Sequence, residues 1–321
     1  MNKLNLLLAI TCVSILAGCS TVPTPTGSDQ YVEGVMALDH GQKDQGVSAL
    51  LEATRKNPRL IIARSRLGDI YRADGDYSHA AEQYEVVTKL DPYTAKNHYN
   101  LGVAYQFLNR LQEAITSYMQ ALKLDDHDAK SAMNAGLCYM TLGKNDDAVK
   151  FTRMATEVNP KLAAAWTNYG AALDAAGQYA KAESAYQRSL ELDSKNPITL
   201  YNLGSNLIEQ HKYRQAIAIL EPLLKTQPSA PVQKRLGDAY AGTGRPEDAL
   251  EQYNASLKRD ARYYPALNEM ARVLIGQYKS GLELDENQRK AAVQYWKQSL
   301  QINPQQKDVV DTVAKYDRAT F

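Results

Sequence analysis

Cysteine is nearly absent: three residues in 321. Cys12 and Cys19 lie in the first twenty positions, so only Cys138 belongs to the body of the chain, and no disulfide framework can brace it. An excess of charge is absent too. Lys and Arg number 37 against 36 Asp and Glu. Lys3 is the only charged residue among the first eighteen, so the remainder is balanced at 36 of each. A nucleic-acid binder is expected to be basic, and this chain offers no such field. Catalytic equipment is missing as well. The five histidines, at 40, 79, 98, 127 and 211, have neither each other nor cysteine at metal-ligand spacing. No Gly-rich phosphate loop occurs, and the carboxylates are scattered. The residues read as a non-enzymatic protein without metal or cofactor.

What the chain has is a period. Gly34, Gly68, Gly102, Gly136, Gly170 and Gly204 are each 34 residues apart; Gly237 follows after 33, and Ala271 after another 34. Number each repeat so that this residue is position 8. The repeats then begin near 27, 61, 95, 129, 163, 197, 230 and 264. Position 20 is small: Ala80, Ala114, Ala148, Ala182, Ala216 and Ala249. Position 11 is Tyr71, Tyr105, Tyr139 and Tyr240, with Leu173 and Leu207. Position 24 is Tyr84, Tyr118, Tyr186 and Tyr253, with Leu50 and Leu220. Position 15 is Gly41, Gly75, Gly143, Gly177 and Gly244, with Asn109 and His211 as replacements, and Pro58, Pro92, Pro160 and Pro228 fill position 32.

This 34-residue pattern resembles the tetratricopeptide (TPR) family over nearly all of the chain after residue 26. The resemblance implies an all-α solenoid of about eight helix-turn-helix repeats, a right-handed superhelix over 27–321 closed by a capping helix at 308–321. The pattern also has a physical cause. Large residues at 4, 7 and 11 share a helical face with position 8. Small residues at 8 and 20 let the two helices of a repeat approach. Gly at 15 stops helix A in the left-handed conformation, Asn109 is the next best residue there, and His211 is a poorer fit. Pro at 32 ends helix B. Most of the 21 Tyr fall at core positions 11 and 24 or at 17 (Tyr77, Tyr179, Tyr213), so they read as architecture. Cys138, between Leu137 and Tyr139 in a helix A, reads as a buried structural thiol rather than a reactive one.

The eighth repeat departs from this scheme. Ala292, Trp296 and Pro304 fit positions 20, 24 and 32 only if about nine residues are inserted within Gly276–Arg289. The insert is either a longer loop or an extended helix A, or a contact loop. In the expected cap, Val309, Val310, Val313 and Tyr316 share a face.

The first eighteen residues hold one Lys and about a dozen apolar residues, too short a run for a membrane span, and read as a signal peptide. Leu16-Ala17-Gly18-Cys19 is similar to the bacterial lipobox. That resemblance implies cleavage before Cys19 and a lipid-anchored N-terminus; the alternative is an ordinary secretory signal with a chance Cys. With Ser20 in place of Asp, it further implies sorting to the outer membrane of a Gram-negative envelope. Residues 19–26 read as a Pro-containing tether, reaching no more than roughly 30 Å.

One constellation points to binding. Asn100, Asn134, Asn168 and Asn202 all hold position 6, about 180° around helix A from the core stripe at 4, 8 and 11. In the TPR family helix A lines a peptide groove, so the resemblance implies an asparagine ladder that grips extended backbone; the alternative is plain repeat consensus. Lys96 and Lys130 at position 2, Tyr99, Met133 and Tyr201 at position 5, and Val103 and Leu137 at position 9 join the candidate groove. Lys96, Asn100 and Asn134 match part of the carboxylate clamp of chaperone-binding relatives, but Ala164 and Asn168 stand where Lys and Arg are wanted. The chain looks most like TPR lipoproteins of Tad/Flp and type IV pilus systems. The implied role is a scaffold at the outer membrane that binds envelope proteins and assists a pilus or secretin machine; the alternative is an adaptor for periplasmic cell-wall hydrolases. On this reading Cys19→Ser abolishes incorporation of labelled palmitate, and equal label in variant and wild type would refute the anchor.

Overall fold

The computed structural model describes residues 26–281 and 285–317. The expected signal peptide, Cys19 and the expected tether before residue 26 lie outside the described residues, as do the last four residues of the expected cap. Seventeen α-helices and no strand occur among the described residues. They divide between two units that meet at Leu124 and Asp125. The first holds α1 (Ser28–Asp39), α2 (Lys43–Lys56), α3 (Ile61–Ala73), α4 (Tyr77–Leu90), α5 (Ala95–Phe107) and α6 (Leu111–Leu124). The second holds α7 (Ala129–Thr141), α8 (Asn145–Val158), α9 (Ala163–Ala175), α10 (Tyr179–Leu192), α11 (Pro197–Glu209) and α12 (Tyr213–Thr226). It continues with α13 (Ala230–Gly242), α14 (Pro246–Arg259), α15 (Tyr264–Ser280), α16 (Glu286–Ile302) and α17 (Lys307–Tyr316). The odd-numbered helices α1 to α15 are the A helices of TPR-like hairpins, and each packs on the B helix that follows it.

The turn that closes each hairpin is set by position 15. Gly75 has φ +79, and its own N–H donates to the Arg72 carbonyl at 3.2 Å while Asp76 N donates to Tyr71 O at 2.9 Å. This is the Schellman arrangement that satisfies the last carbonyls of a helix. It recurs with Gly177, where Gln178 N donates to Leu173 O at 2.8 Å, and with both replacements. Asn109 adopts φ +57 and His211 φ +58. A left-handed L-residue costs roughly 1–2 kcal/mol. His211 meets that cost with the same backbone bonds, Lys212 N donating to Leu207 O at 2.8 Å, and its ring Nδ1 lies 2.6 Å from Tyr213 Oη.

The contact between paired helices is a side chain seated on a missing one. Position 24 lies over the glycine at position 8. A methyl group at Gly170 would come within 2.5 Å of Tyr186 Cε1, and one at Gly204 within 2.6 Å of Leu220 Cδ2. Tyr84, Tyr118, Tyr186 and Tyr253 are all but fully buried there. Their hydroxyls reach through to helix A. Tyr84 donates to Asp69 at 2.7 Å, Tyr118 to Gln106 at 2.7 Å, Tyr186 to Asp174 at 2.7 Å and Tyr253 to Asp238 at 3.0 Å. Burial, with the neighbouring carboxylate, pushes the Tyr84, Tyr186 and Tyr253 phenols well above their usual range, so each stays a donor. In the repeat starting at 129 Thr152 takes position 24, and Phe151 beside it stacks on Tyr139 at 5.3 Å.

After helix B the chain turns on Asn or Asp at position 31. Asn57 Oδ1 accepts from Arg59 N at 3.1 Å, and Asp125 and Asp260 repeat the turn with His127 and Arg262. In the second unit the A helices also touch one another, α7 with α9, α9 with α11, α11 with α13 and α13 with α15. Cys138 on α7 is buried, and burial pushes its thiol up to about 11. It is a structural thiol.

The insert of the eighth repeat goes mainly into helix. α15 and α16 have 17 residues each, where the other A helices of this unit have 13 and the B helices 14. Tyr278 stands where other repeats have the left-handed residue, and it is buried inside the extended α15. Residues 282–284 lie outside the described residues. In α17, Val309 is buried, and Val313 and Tyr316 pack on Ile275 and Trp296. Val310 does not share that face. It is 45% exposed, because it sits 100° round the helix from Val309. Tyr179 is likewise an exposed member of the position-17 tyrosines.

Gly170→Ala should cost about 1–3 kcal/mol by forcing Tyr186 off its seat. Gly177 has open space around it, so Gly177→Ala should cost roughly 1–2 kcal/mol through backbone strain alone, and Gly177→Asn less. Urea denaturation of the three variants measures this. Equal losses at Gly177 for Ala and Asn would contradict the turn assignment.

Candidate functional site

Position 6 of helix A lies about 180° around the helix from the core stripe at 4, 8 and 11. In the second unit adjoining A helices set the residues at this position side by side. Position 6 then reads Asn134 on α7, Asn168 on α9, Asn202 on α11, Arg235 on α13 and Glu269 on α15. Each is half-buried. The face opposite the core stripe is therefore not open; the neighbouring A helix partly covers it. Asn134 also has an interaction within the fold. Lys130 is exposed, and Met133 and Tyr201 are half-buried beside the row.

The first unit holds the other candidates by itself. Lys96 is exposed, and Tyr99 is half-buried with its ring 6.0 Å from that of Tyr118. Asn100 does not project to solvent as expected. It is a buried residue, 9% exposed.

The row changes character after Asn202. Lys234 Nζ donates to Asp238 Oδ2 at 2.8 Å and stands 3.9 Å from Glu269. Arg235 Nη1 lies 3.5 Å from both Glu209 Oε1 and Asp238 Oδ2. Asp238 is also the acceptor for Tyr253, and Arg272 donates to Glu269 at 2.9 Å. Only 14% of the Lys234 side chain and 12% of the Asp238 side chain are exposed, so the centre of the cluster is largely withdrawn from water, while Glu209 and Arg272 at its edge are about half exposed. Three cations and three anions balance. Burial raises the Glu269 carboxyl above its usual range, and Lys234 and Arg272 pull it part of the way back. Burial works against the charge of Arg235, but Asp238, the Tyr201 hydroxyl and Glu209 outweigh it and hold its pKa high.

The sequence contained the signal for this cluster. Arg235 and Glu269 continue the position-6 register once the 33-residue step at Gly237 is allowed for. The change from amide to charged side chains masks them as members of the same row. On the exposed turn before α7, Asp125, Asp126 and His127 bring donor atoms within 4.8 Å of one another. All three are solvated neighbours in sequence and form no enclosed geometry. Chemically, the second unit offers amides that can both donate and accept, ending in a compensated set of charges.

Residues 68–106 match the TPR repeat family, and residues 108–235 match the family described as the tetratricopeptide repeat protein 21 C-terminal ARM domain. Comparison with curated protein sequences gives no match. Among solved structures, the chain is similar to that of the APC/C hetero-tetramer Cut9–Hcn1, with a TM-score of 0.62 and 16% identity, over 88% of this chain and 55% of that one. It is also similar to PilW, described as a widely conserved type IV pilus biogenesis factor, with a TM-score of 0.59 and 23% identity, over 68% of this chain and 98% of that one. A third is YrrB, described as a TPR protein with an unusual peptide-binding site, with a TM-score of 0.50 and 22% identity, over 59% of this chain and 97% of that one. These likenesses carry the fold.

A pH dependence follows from Glu269. A carboxyl held above its ordinary 4.5 in the folded state keeps its proton after the unfolded chain has lost it. The contribution of Glu269 to stability then falls as pH rises from 4.5 through the folded value, and is level outside that window. Glu269→Gln removes the effect. Urea midpoints of wild type and variant across pH should show a difference that drifts against wild type as pH rises through this range; a constant difference would count against a raised carboxyl.

Proposed function

We propose that this TPR repeat protein is a non-enzymatic scaffold that holds extended segments of partner proteins along the A-helix face of its second unit. The observation that carries the reading is the recurrence of Asn134, Asn168 and Asn202 at one position of adjoining helices. A primary amide donates and accepts at once, so a row of them suits a peptide backbone and makes little demand on its sequence. Half-burial favours this use, since an amide held by its neighbours loses less freedom on binding.

The setting is proposed from the sequence. The lipobox-like Leu16–Cys19 places the scaffold on a lipid anchor at the periplasmic face of the outer membrane, and the short tether keeps it close to that surface. The resemblance to pilus-system TPR lipoproteins supports envelope partners of the pilus and secretin type. The printed description of PilW as a pilus biogenesis factor is in keeping with that setting.

The test is the Asn134/Asn168/Asn202→Ala variant. At about 0.5–1.5 kcal/mol for each net hydrogen bond, binding of a secretin or pilin segment should weaken by roughly 1.5–4.5 kcal/mol. Thermal melts should stay close to wild type. Affinity that does not change would remove the amide row from the site, and captured partners that are only cell-wall hydrolases would replace the pilus reading with the adaptor one.

A further inference from the structure

The turn between α12 and α13 breaks the repeat. Three residues, 227–229, join these two helices, where four join each other B helix to the helix after it. Gln227 stands where the other turns have Asn or Asp. At this turn the start of α11, the end of α12 and the start of α13 enclose a hollow of about 270 Å³. That is just below the roughly 300–1,000 Å³ of small-molecule clefts, the size for one side chain. The surface open to a ligand is Pro197, Ile198, Tyr201, Pro228 and Pro231, exposed or half-buried, and no charged residue lines it.

Ile198 is an independent sign. It is 64% exposed, more than any other leucine, isoleucine or valine among the described residues. The fold does not require it, because Lys96 and Lys130 hold the same position 2 in other repeats. The wall is also rigid. Pro197 opens α11 and Pro231 lies in the first turn of α13, each with its φ fixed by the ring. Arg235 is hydrogen-bonded to the Tyr201 hydroxyl and so holds that ring in place. A preformed hollow costs little ordering when it is filled.

The hollow is continuous with the amide row. Ile198 and Asn202 are four residues apart on α11 and share a face. We propose that it seats one uncharged apolar side chain, the size of leucine or phenylalanine, from the extended segment whose backbone the amides hold. This rests on the amide-row reading and adds an anchor residue to it. A charged side chain is refused, since nothing in the lining would compensate its lost hydration.

NMR of the full-length protein, labelled at isoleucine δ1-methyls, tests this with N-acetyl-leucinamide and N-acetyl-phenylalaninamide. The Ile198 signal should shift saturably with at least one of them, with N-acetyl-lysinamide and N-acetyl-glycinamide far weaker. In saturation-transfer titrations Ile198→Lys should weaken binding by about tenfold or more while melting as wild type does. The Asn134/Asn168/Asn202→Ala variant should bind these capped residues as wild type does. Failure of the amide row would show separately, as unchanged affinity of that variant for a pilin or secretin segment. The proposal fails if neither apolar probe shifts Ile198 saturably, or if the lysine or glycine probe binds as tightly. It fails too if Ile198→Lys keeps wild-type affinity, or if the alanine variant loses the capped residues.

Discussion

The first seven hairpins depend on one contact: the side chain at position 24 seated on the bare backbone of position 8. It fixes how closely helix B can lie on helix A, and it does so with a bulky group rather than by bringing two small faces together. Where that group is tyrosine, the seat also aims a hydroxyl at helix A, so the same residue that fills the space satisfies a half-buried carboxylate or amide there. Tyr186 with Asp174 and Tyr253 with Asp238 are two such pairs. The acid is tolerated in a low-dielectric place because the phenol is there to donate. Core packing and polar satisfaction are thus one arrangement, repeated.

The electrostatics of the second unit grow from it. Asp238, held by Tyr253, is the anion that Lys234 and Arg235 gather around. Glu269 extends the network to α15. The amide row and the charge cluster therefore sit on the same register, one built from side chains that need no counter-ion and the other from side chains that supply their own. A partner segment meeting this face finds polarity throughout but no net field, which favours recognition by shape and hydrogen bonding over long-range attraction.

The hairpins were legible in the sequence because their determinants are local. The glycine at 8, the large residue at 24 and the left-handed residue at 15 all lie within one helix-turn-helix unit, and even His211 could be recognised from its place. The eighth repeat was legible as a departure but not in outcome: nothing in Gly276–Arg289 says how many inserted residues each helix will absorb. Position 6 was identified, but its exposure was misjudged, since the angle around one helix says nothing of the next helix lying against it.

The Schellman turns have a consequence for how the chain acquires its structure. Each turn closes within six residues, and the helices in extensive contact are neighbours in sequence or one removed. Little loop entropy stands between the extended chain and a formed hairpin. A polypeptide delivered from its N-terminus can close each hairpin as soon as helix B has emerged, and offer the exposed side of that helix as a template for the next. Folding of this kind is a propagation along the chain, and it keeps unfinished apolar surface confined to the growing end.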